Sequence, residues 1–274
     1  MNRVSQVMRD VVAQMEIPAW CFQPDNWSIA FLRGLGSLAF QQWDGRKVWE
    51  VGVGSGVNIA ALTQLVDAQW YFSDYDSRCT PLAMANLSRA GACGKFVPLE
   101  GSWDLVTPPA EMEAPKVNVI FGCLPQVPVS SSINLSVGDN RAHYYDPRRY
   151  PEARSNELGL GIVQTLLQNA KQVLLPRGTV VLNLGGRPGR KRLLELFIQA
   201  SYVPDVVNEE VIQQHPETSV VSLATLEESG QSDFEFFLDE DARYPISARS
   251  AETLREAGTE VFHKIYVIAG TTLT

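Results

Sequence analysis

The chain has no stretch of 18 uncharged apolar residues, so nothing in its 274 residues reads as a membrane-spanning helix. The N-terminus also lacks a signal-peptide core. Asp10 and Glu16 interrupt its apolar pattern, and Val4, Val7, Met8, Val11, Val12 and Met15 instead mark an amphipathic helix packed on the domain. Basic residues are in short supply: 23 Lys and Arg stand against 31 Asp and Glu, a net charge of −8. That argues against a nucleic-acid partner, because binding a phosphate backbone leans on a basic surface. The one basic knot, Arg187, Arg190, Lys191 and Arg192, is too small to track a strand of RNA. Cys21, Cys79, Cys93 and Cys123 are scattered without metal-ligand spacing, so no metal site is expected and a reduced, cytoplasmic setting is the simplest inference. No repeat or low-complexity tract is found. The 45% hydrophobic content suffices to bury the core of one large domain, and the oligomeric state stays open.

What is present centres on VWEVGVGSGVN, residues 48–58. An apolar run ends in a turn with Gly52, Gly54 and Gly56, and a helical pattern (Ile59, Ala60, Leu62, Leu65) follows, so this reads as strand, tight turn and helix. Glycines let a backbone approach a ligand where a Cβ would intrude. The dinucleotide fingerprint needs its third glycine where Val57 sits, which disfavours a nicotinamide cofactor. Glu50, two places before the first glycine, fits a ligand with an ammonium and a sulfonium and no phosphate: S-adenosylmethionine. A second strand, WYFSD (70–74), ends in Asp74, placed to present a carboxylate to a ribose diol. Asn86 follows one helix later.

Farther along, EGSWD (100–104) places Ser102 near the adenine and leaves Trp103 either as a core aromatic or as a face for the adenine ring. Strand four, KVNVIFG (116–122), is nearly continuous in apolar residues, as a central parallel strand is, and runs from Gly122 into Cys123-Leu124-Pro125-Gln126. In methyltransferases acting on amide or exocyclic nitrogens, an Asn-Pro-Pro-Tyr motif stands there and aims the nitrogen lone pair. Cys123 cannot do that, so the acceptor atom is expected to be something else. Residues 127–156 read as a polar insertion with His143, Tyr144, Tyr145 and Tyr150, expected to form a lid. A helix (Leu158 to Val173) and a strand (GTVVLNL, 178–184) follow. Arg187 then stands either as a solvated charge at a helix start or as a fork for a carboxylate. In the last hundred residues Ser219 to Leu226, Phe234 to Leu238 and Val261 to Ile268 read as strands and Ala251 to Ala257 as a helix. His263 reads as a hydrogen-bonded core histidine.

The expected architecture is α/β: a three-layer, Rossmann-like, seven-stranded class I S-adenosylmethionine-dependent methyltransferase. Residues 1–45 form an N-terminal helical cap and residues 46–274 the methyltransferase domain, with a lid inserted after strand four.

Several of these motifs together resemble the methyltransferase portion of the methionine S-methyltransferases. They are PDNWS (24–28), EVGVGSGVNIA (50–60), GCLPQVP (122–128), ELGLGIV (157–163), LNLGGRPG (182–189), FEFF (234–237) and PISARSA (245–251). The resemblance implies methyl transfer from S-adenosylmethionine to free L-methionine. A thioether carries no proton at pH 7, so that transfer needs no general base. It needs two sulfurs held in line in a dry pocket, with aromatic faces for the sulfonium that develops. The expected assignments are Glu50, Gly52, Gly54, Gly56, Asp74, Ser102, Trp103 and Gly122 for the cofactor, with Cys123, Pro125 and Gln126 positioning the reactants. Trp27, Tyr144 and Tyr145 are the aromatic box. Arg187 takes the carboxylate with Asn183 as polar support and Arg249 as a second cation, and Gln126 accepts from the ammonium. Two other readings share the frame: an N-methyltransferase of a protein glutamine or small amine, and a non-catalytic S-adenosylmethionine-binding subunit.

Overall fold

A computed structural model describes residues 3–99, 115–129, 143–216, 218–230 and 232–273; Ser102, Trp103 and part of the expected lid lie outside the described residues. The strands in chain order are β1 (Lys47–Val51), β2 (Gln69–Ser73), β3 (Lys95–Pro98), β4 (Val117–Gly122), β5 (Val127–Pro128), β6 (Tyr144–Tyr145), β7 (Leu174–Gly185), β8 (Tyr202–Gln213), β9 (Phe236–Phe237), β10 (Pro245–Ile246) and β11 (Phe262–Thr272). The helices are α1 (Arg3–Val12), α2 (Asn26–Gln42), α3 (Val57–Leu62), α4 (Cys79–Arg89), α5 (Gly161–Ala170), α6 (Arg190–Gln199), α7 (Val221–Glu228) and α8 (Ala248–Glu256).

The main sheet runs β3-β2-β1-β4-β7-β11-β8. It is parallel through β7, and β11 is antiparallel to both β7 and β8. Alternation along the strands builds two cores, one on each face. Trp49, Tyr71, Ile120, Val180, Leu182 and Ile268 pack with Leu166 and Leu167 of α5 and Leu193 and Phe197 of α6. Val48, Trp70, Phe72, Phe121, Val181 and Val267 pack with α2 and α3. Gly34 lets α2 lie close on β11: a Cβ there would meet Val267 Cγ1 at 2.6 Å.

Two features differ from the sequence expectation. Among the described residues seven long strands are present, but β9 and β10 add a short ribbon where β9 meets Phe262 of β11, making nine in the sheet. The run from Ser219 is α7 rather than a strand, because Val220, Leu223 and Ala224 fall on one helical face and pack on Phe234, Phe236 and Ala251. The sixth long strand is β8 instead. It is a half-exposed edge whose charges weaken the apolar signal.

Candidate active site

A cavity of about 750 Å³ opens at the C-terminal ends of β1, β2 and β4. At one end is the glycine turn. Gly52 and Gly54 lie at φ +73° and +52°, and the N–H groups of Gly52 and Val53 donate to the Ser73 carbonyl at 2.9 and 3.1 Å, which ties the turn to β2. Asp74 accepts from the N–H of Gly54 and of Asp76, both at 2.9 Å, and lines the cavity. Burial raises its carboxyl above the usual range. Beneath the turn Glu50 is 1% exposed. One of its oxygens accepts from Asn58 Nδ2 at 2.7 Å, while Glu50 Oε2 and Asn58 Oδ1 have no partner. Burial, and after it the nearby Asp74 charge, push the Glu50 carboxyl well up.

Gly56 and Gly122 belong to packing rather than to the cavity wall. A Cβ at Gly56 would sit 3.0 Å from that of Ala83, and one at Gly122 would sit 2.7 Å from the Val51 carbonyl. Asn86 is a latch. Its Oδ1 accepts from the Glu16 N–H, and its Nδ2 donates to the carbonyls of Glu16 and Ser55, which binds the N-terminal segment to the glycine turn.

The wall beyond is aromatic. Asp25 caps α2, accepting from the N–H of Trp27 and Ser28, and so sets Trp27 in the first turn of the helix at the cavity. Its indole lies 5.3 Å from the His263 ring and 5.6 Å from the Arg187 guanidinium. Phe22, Tyr144, Tyr145 and Tyr150 also line the cavity, and the three tyrosines are buried rather than displayed on a polar loop. Tyr145 donates to Asn156 Oδ1 and accepts from the Gly161 N–H. Cys123 lies between the two ends. Burial pushes its thiol up to about 12, so it stays protonated, and Asn183 Nδ2 bridges its sulfur and the Trp27 carbonyl. Asn183 thus supports the wall from behind.

Arg187 follows β7 and is 5% exposed. Among the described residues no carboxylate lies within ion-pair distance of it, and burial lowers its guanidinium to about 10. A solvated charge is therefore excluded. Gln126 packs beside it, with Oε1 taking the Gly185 N–H at 2.6 Å and Nε2 unpartnered. A Cβ on Gly185 would stand 2.7 Å from Arg187 Nη2 and 3.0 Å from Gln126 Oε1, so the glycine makes room for both.

Arg249 is elsewhere. It sits in the first turn of α8, 70% exposed, ion-paired with Glu228 and outside the cavity wall, so the structure corrects its expected place at the substrate. His263 is buried as expected, but neither ring nitrogen has a partner; burial and then Arg187 hold it well below its usual range. Gln214, His215 and Thr218, which no motif in the sequence marks, also line the cavity after β8. Only correct placement of that edge strand could have exposed them.

No family model matches the chain. Among solved structures, a Pyrococcus horikoshii protein given as a candidate RNA methyltransferase superposes with a TM-score of 0.52 at 12% identity, covering 99% of this chain and 100% of that one. The YcgJ protein from Bacillus subtilis gives 0.51 at 11% identity over 88% and 98%. The chain has the class I methyltransferase fold. In sequence, this methyltransferase-fold chain is 25% identical over 94% of its length to a barley protein named methionine S-methyltransferase, and 26% identical over 93% to its maize counterpart. It spans about a quarter of the length of those relatives, 26% and 25%.

Proposed function

We propose that this chain is an S-adenosylmethionine-dependent methyltransferase that methylates the thioether sulfur of free L-methionine, giving S-methylmethionine and S-adenosylhomocysteine. The observation that carries it is the pairing of opposite ends in one cavity: a glycine turn with Asp74 and the unpartnered Asn58 Oδ1, and a buried guanidinium with no counter-ion among the described residues. The first end fits S-adenosylmethionine. Its open backbone at Gly52 and Gly54 accommodates a nucleoside, the Asp74 carboxylate suits a ribose diol, and the orphaned Glu50 Oε2 and Asn58 Oδ1 suit a cationic ligand. When bound, S-adenosylmethionine supplies an electrophilic methyl group.

The chain's own residues do the rest by holding and drying the acceptor. Arg187 would pair with the substrate carboxylate, whose charge would offset the cost of burying an unpaired cation. Trp27, Tyr144 and Tyr145 enclose the thioether, and their faces favour the positive charge that builds on sulfur. Cys123 and Pro125 shape the floor without offering the amide oxygen that nitrogen methylation uses. The names of the plant relatives support the same reading. The chain spans about a quarter of those proteins, so that it carries their activity is part of the proposal.

Mass spectrometry after incubation with S-adenosylmethionine and each free amino acid tests it. Methionine-dependent S-methylmethionine is the expected product. Turnover on glutaminyl peptides or amines but not on methionine would replace the thioether reading by N-methylation. Tight cofactor binding with no turnover would make the chain a binding subunit.

A further inference from the structure

Among the residues that line the cavity around the Arg187 end, the unsatisfied polar atoms are a donor after β4 and acceptors after β8. On the donor side, the Gly185 N–H fixes which way the Gln126 amide faces: Oε1 must accept, so the free group is the Nε2 amide, a donor beside a guanidinium. Gln126 therefore presents N–H to a ligand, the reverse of the ammonium acceptor expected from sequence.

On the acceptor side is the segment joining β8 to α7. Gln214 and Thr218 line the cavity at 4% and 2% exposure, and Gln214 Oε1 and Thr218 Oγ1 have no partner among the described residues. The described groups around them are hydrogen-bonded. Gln214 Nε2 donates to the Thr218 carbonyl, Thr218 N–H to the His215 carbonyl, Tyr144 Oη to the Ser219 carbonyl and Arg255 to the Pro216 carbonyl. Glu252 takes the Ser219 hydroxyl and the Val220 N–H. In so braced a turn, each orphaned buried group is destabilising unless a ligand satisfies it.

We propose that this end of the cavity is a receptor for an amino-acid zwitterion, with Arg187 and Gln126 Nε2 on the α-carboxylate and Gln214 Oε1 with Thr218 Oγ1 on the α-ammonium. The inference rests on the reading above that the acceptor is a free amino acid, and it adds the residues that recognise both charged groups. It also adds a restriction: a methionine inside a peptide, lacking one or both charges, is refused.

The test is calorimetric titration of the full chain, saturated with S-adenosylhomocysteine, using L-norleucine, L-norleucinamide and hexanoate. Norleucine replaces the sulfur by a methylene and cannot be methylated, so binding is read apart from turnover. Wild-type protein is expected to bind norleucine about 10- to 100-fold more tightly than either truncated ligand, the worth of a hydrogen bond to a charged group. Gln126→Glu keeps the acceptor for Gly185 and should weaken norleucine at least about 10-fold while leaving norleucinamide within about twofold. Gln214→Leu should weaken norleucine and leave hexanoate unchanged. Unchanged S-adenosylhomocysteine affinity certifies the fold of each variant, and the wild-type ligand series needs no variant at all. Equal wild-type affinity for all three ligands, or variants that weaken all three alike, overturns the receptor. Methionine turnover with no such discrimination overturns the receptor and leaves the reaction standing. The expected discrimination without S-methylmethionine does the opposite.

Discussion

The two ends of the cavity are built in different ways. The glycine-turn end is a local construction: Glu50, Gly52, Gly54, Asn58 and Asp74 lie within one strand-turn-helix-strand unit, and backbone geometry does most of the shaping. The Arg187 end is assembled from segments far apart in the chain, with Trp27 on α2, Gln126 after β4, Arg187 after β7 and Gln214 after β8. Its shaping falls to side chains, and several of them are left without partners. The two ends also differ in charge, with the acid Asp74 at one and the Arg187 guanidinium at the other. The contrast teaches that backbone fixes the shape of the first end, whereas the second takes its shape from side chains that only the folded sheet brings together.

The sharpest way to break this contrast is Arg187→Met. Losing a charge partner in a dry site should lower kcat/KM for methionine about 100-fold. Removing an unpaired buried charge should leave stability equal or higher. A parallel loss of cofactor affinity in titration would show that the ends are not separate. The mirror substitution, Asp74→Ala, should weaken S-adenosylmethionine about 10-fold and leave norleucine affinity in place, by the same titrations.

Acid sharpens the contrast further. Burial, then His215 and Arg187, lower His143 from 6.5 to about 4, so the unfolded chain binds the extra proton first in that window. The stability His143 permits is whole above pH 6.5 and is lost as pH falls towards 4. Glu50, raised by burial, works in the opposite direction and holds its proton longer in the folded chain. A difference experiment isolates the histidine: His143→Phe should gain on wild type by up to about 3 kcal/mol across that interval, read from urea midpoints at stepped pH. A constant difference at every pH would sink the assignment. The smallest effect is expected at Arg249, where Arg249→Ala should change KM for methionine by less than about twofold, since exposed ion pairs contribute little.

This division also explains what could be read in the sequence. The turn at Gly52 and Gly54, its acid Glu50 and the strand ending in Asp74 were legible because each acts through residues a few places apart. The sequence predicts the number of long strands, yet β8 carries little strand signal because its valines are mixed with acids on an exposed edge, and the valines of α7 give it the composition of a strand. With β8 misplaced, Gln214 and Thr218 had no reason to be near Arg187. Arg249 shows the converse: a motif match carries no direction, and the first turn of α8 points this side chain to Glu228. For Gln126 the residue was legible and its polarity was not, because only the Gly185 N–H decides which end of the amide is free.

Asn86 joins two parts of the chain that would otherwise open separately. Its amide serves Glu16 on one side and the Ser55 carbonyl on the other, from a fully buried position on α4. Freeing the N-terminal segment leaves Asn86 with unmet groups against the turn, and loosening the turn does the same against the segment. Residues 3–16 and the glycine turn are therefore expected to open as one cooperative unit in local unfolding, although in sequence Glu16 and Ser55 lie nearly forty residues apart.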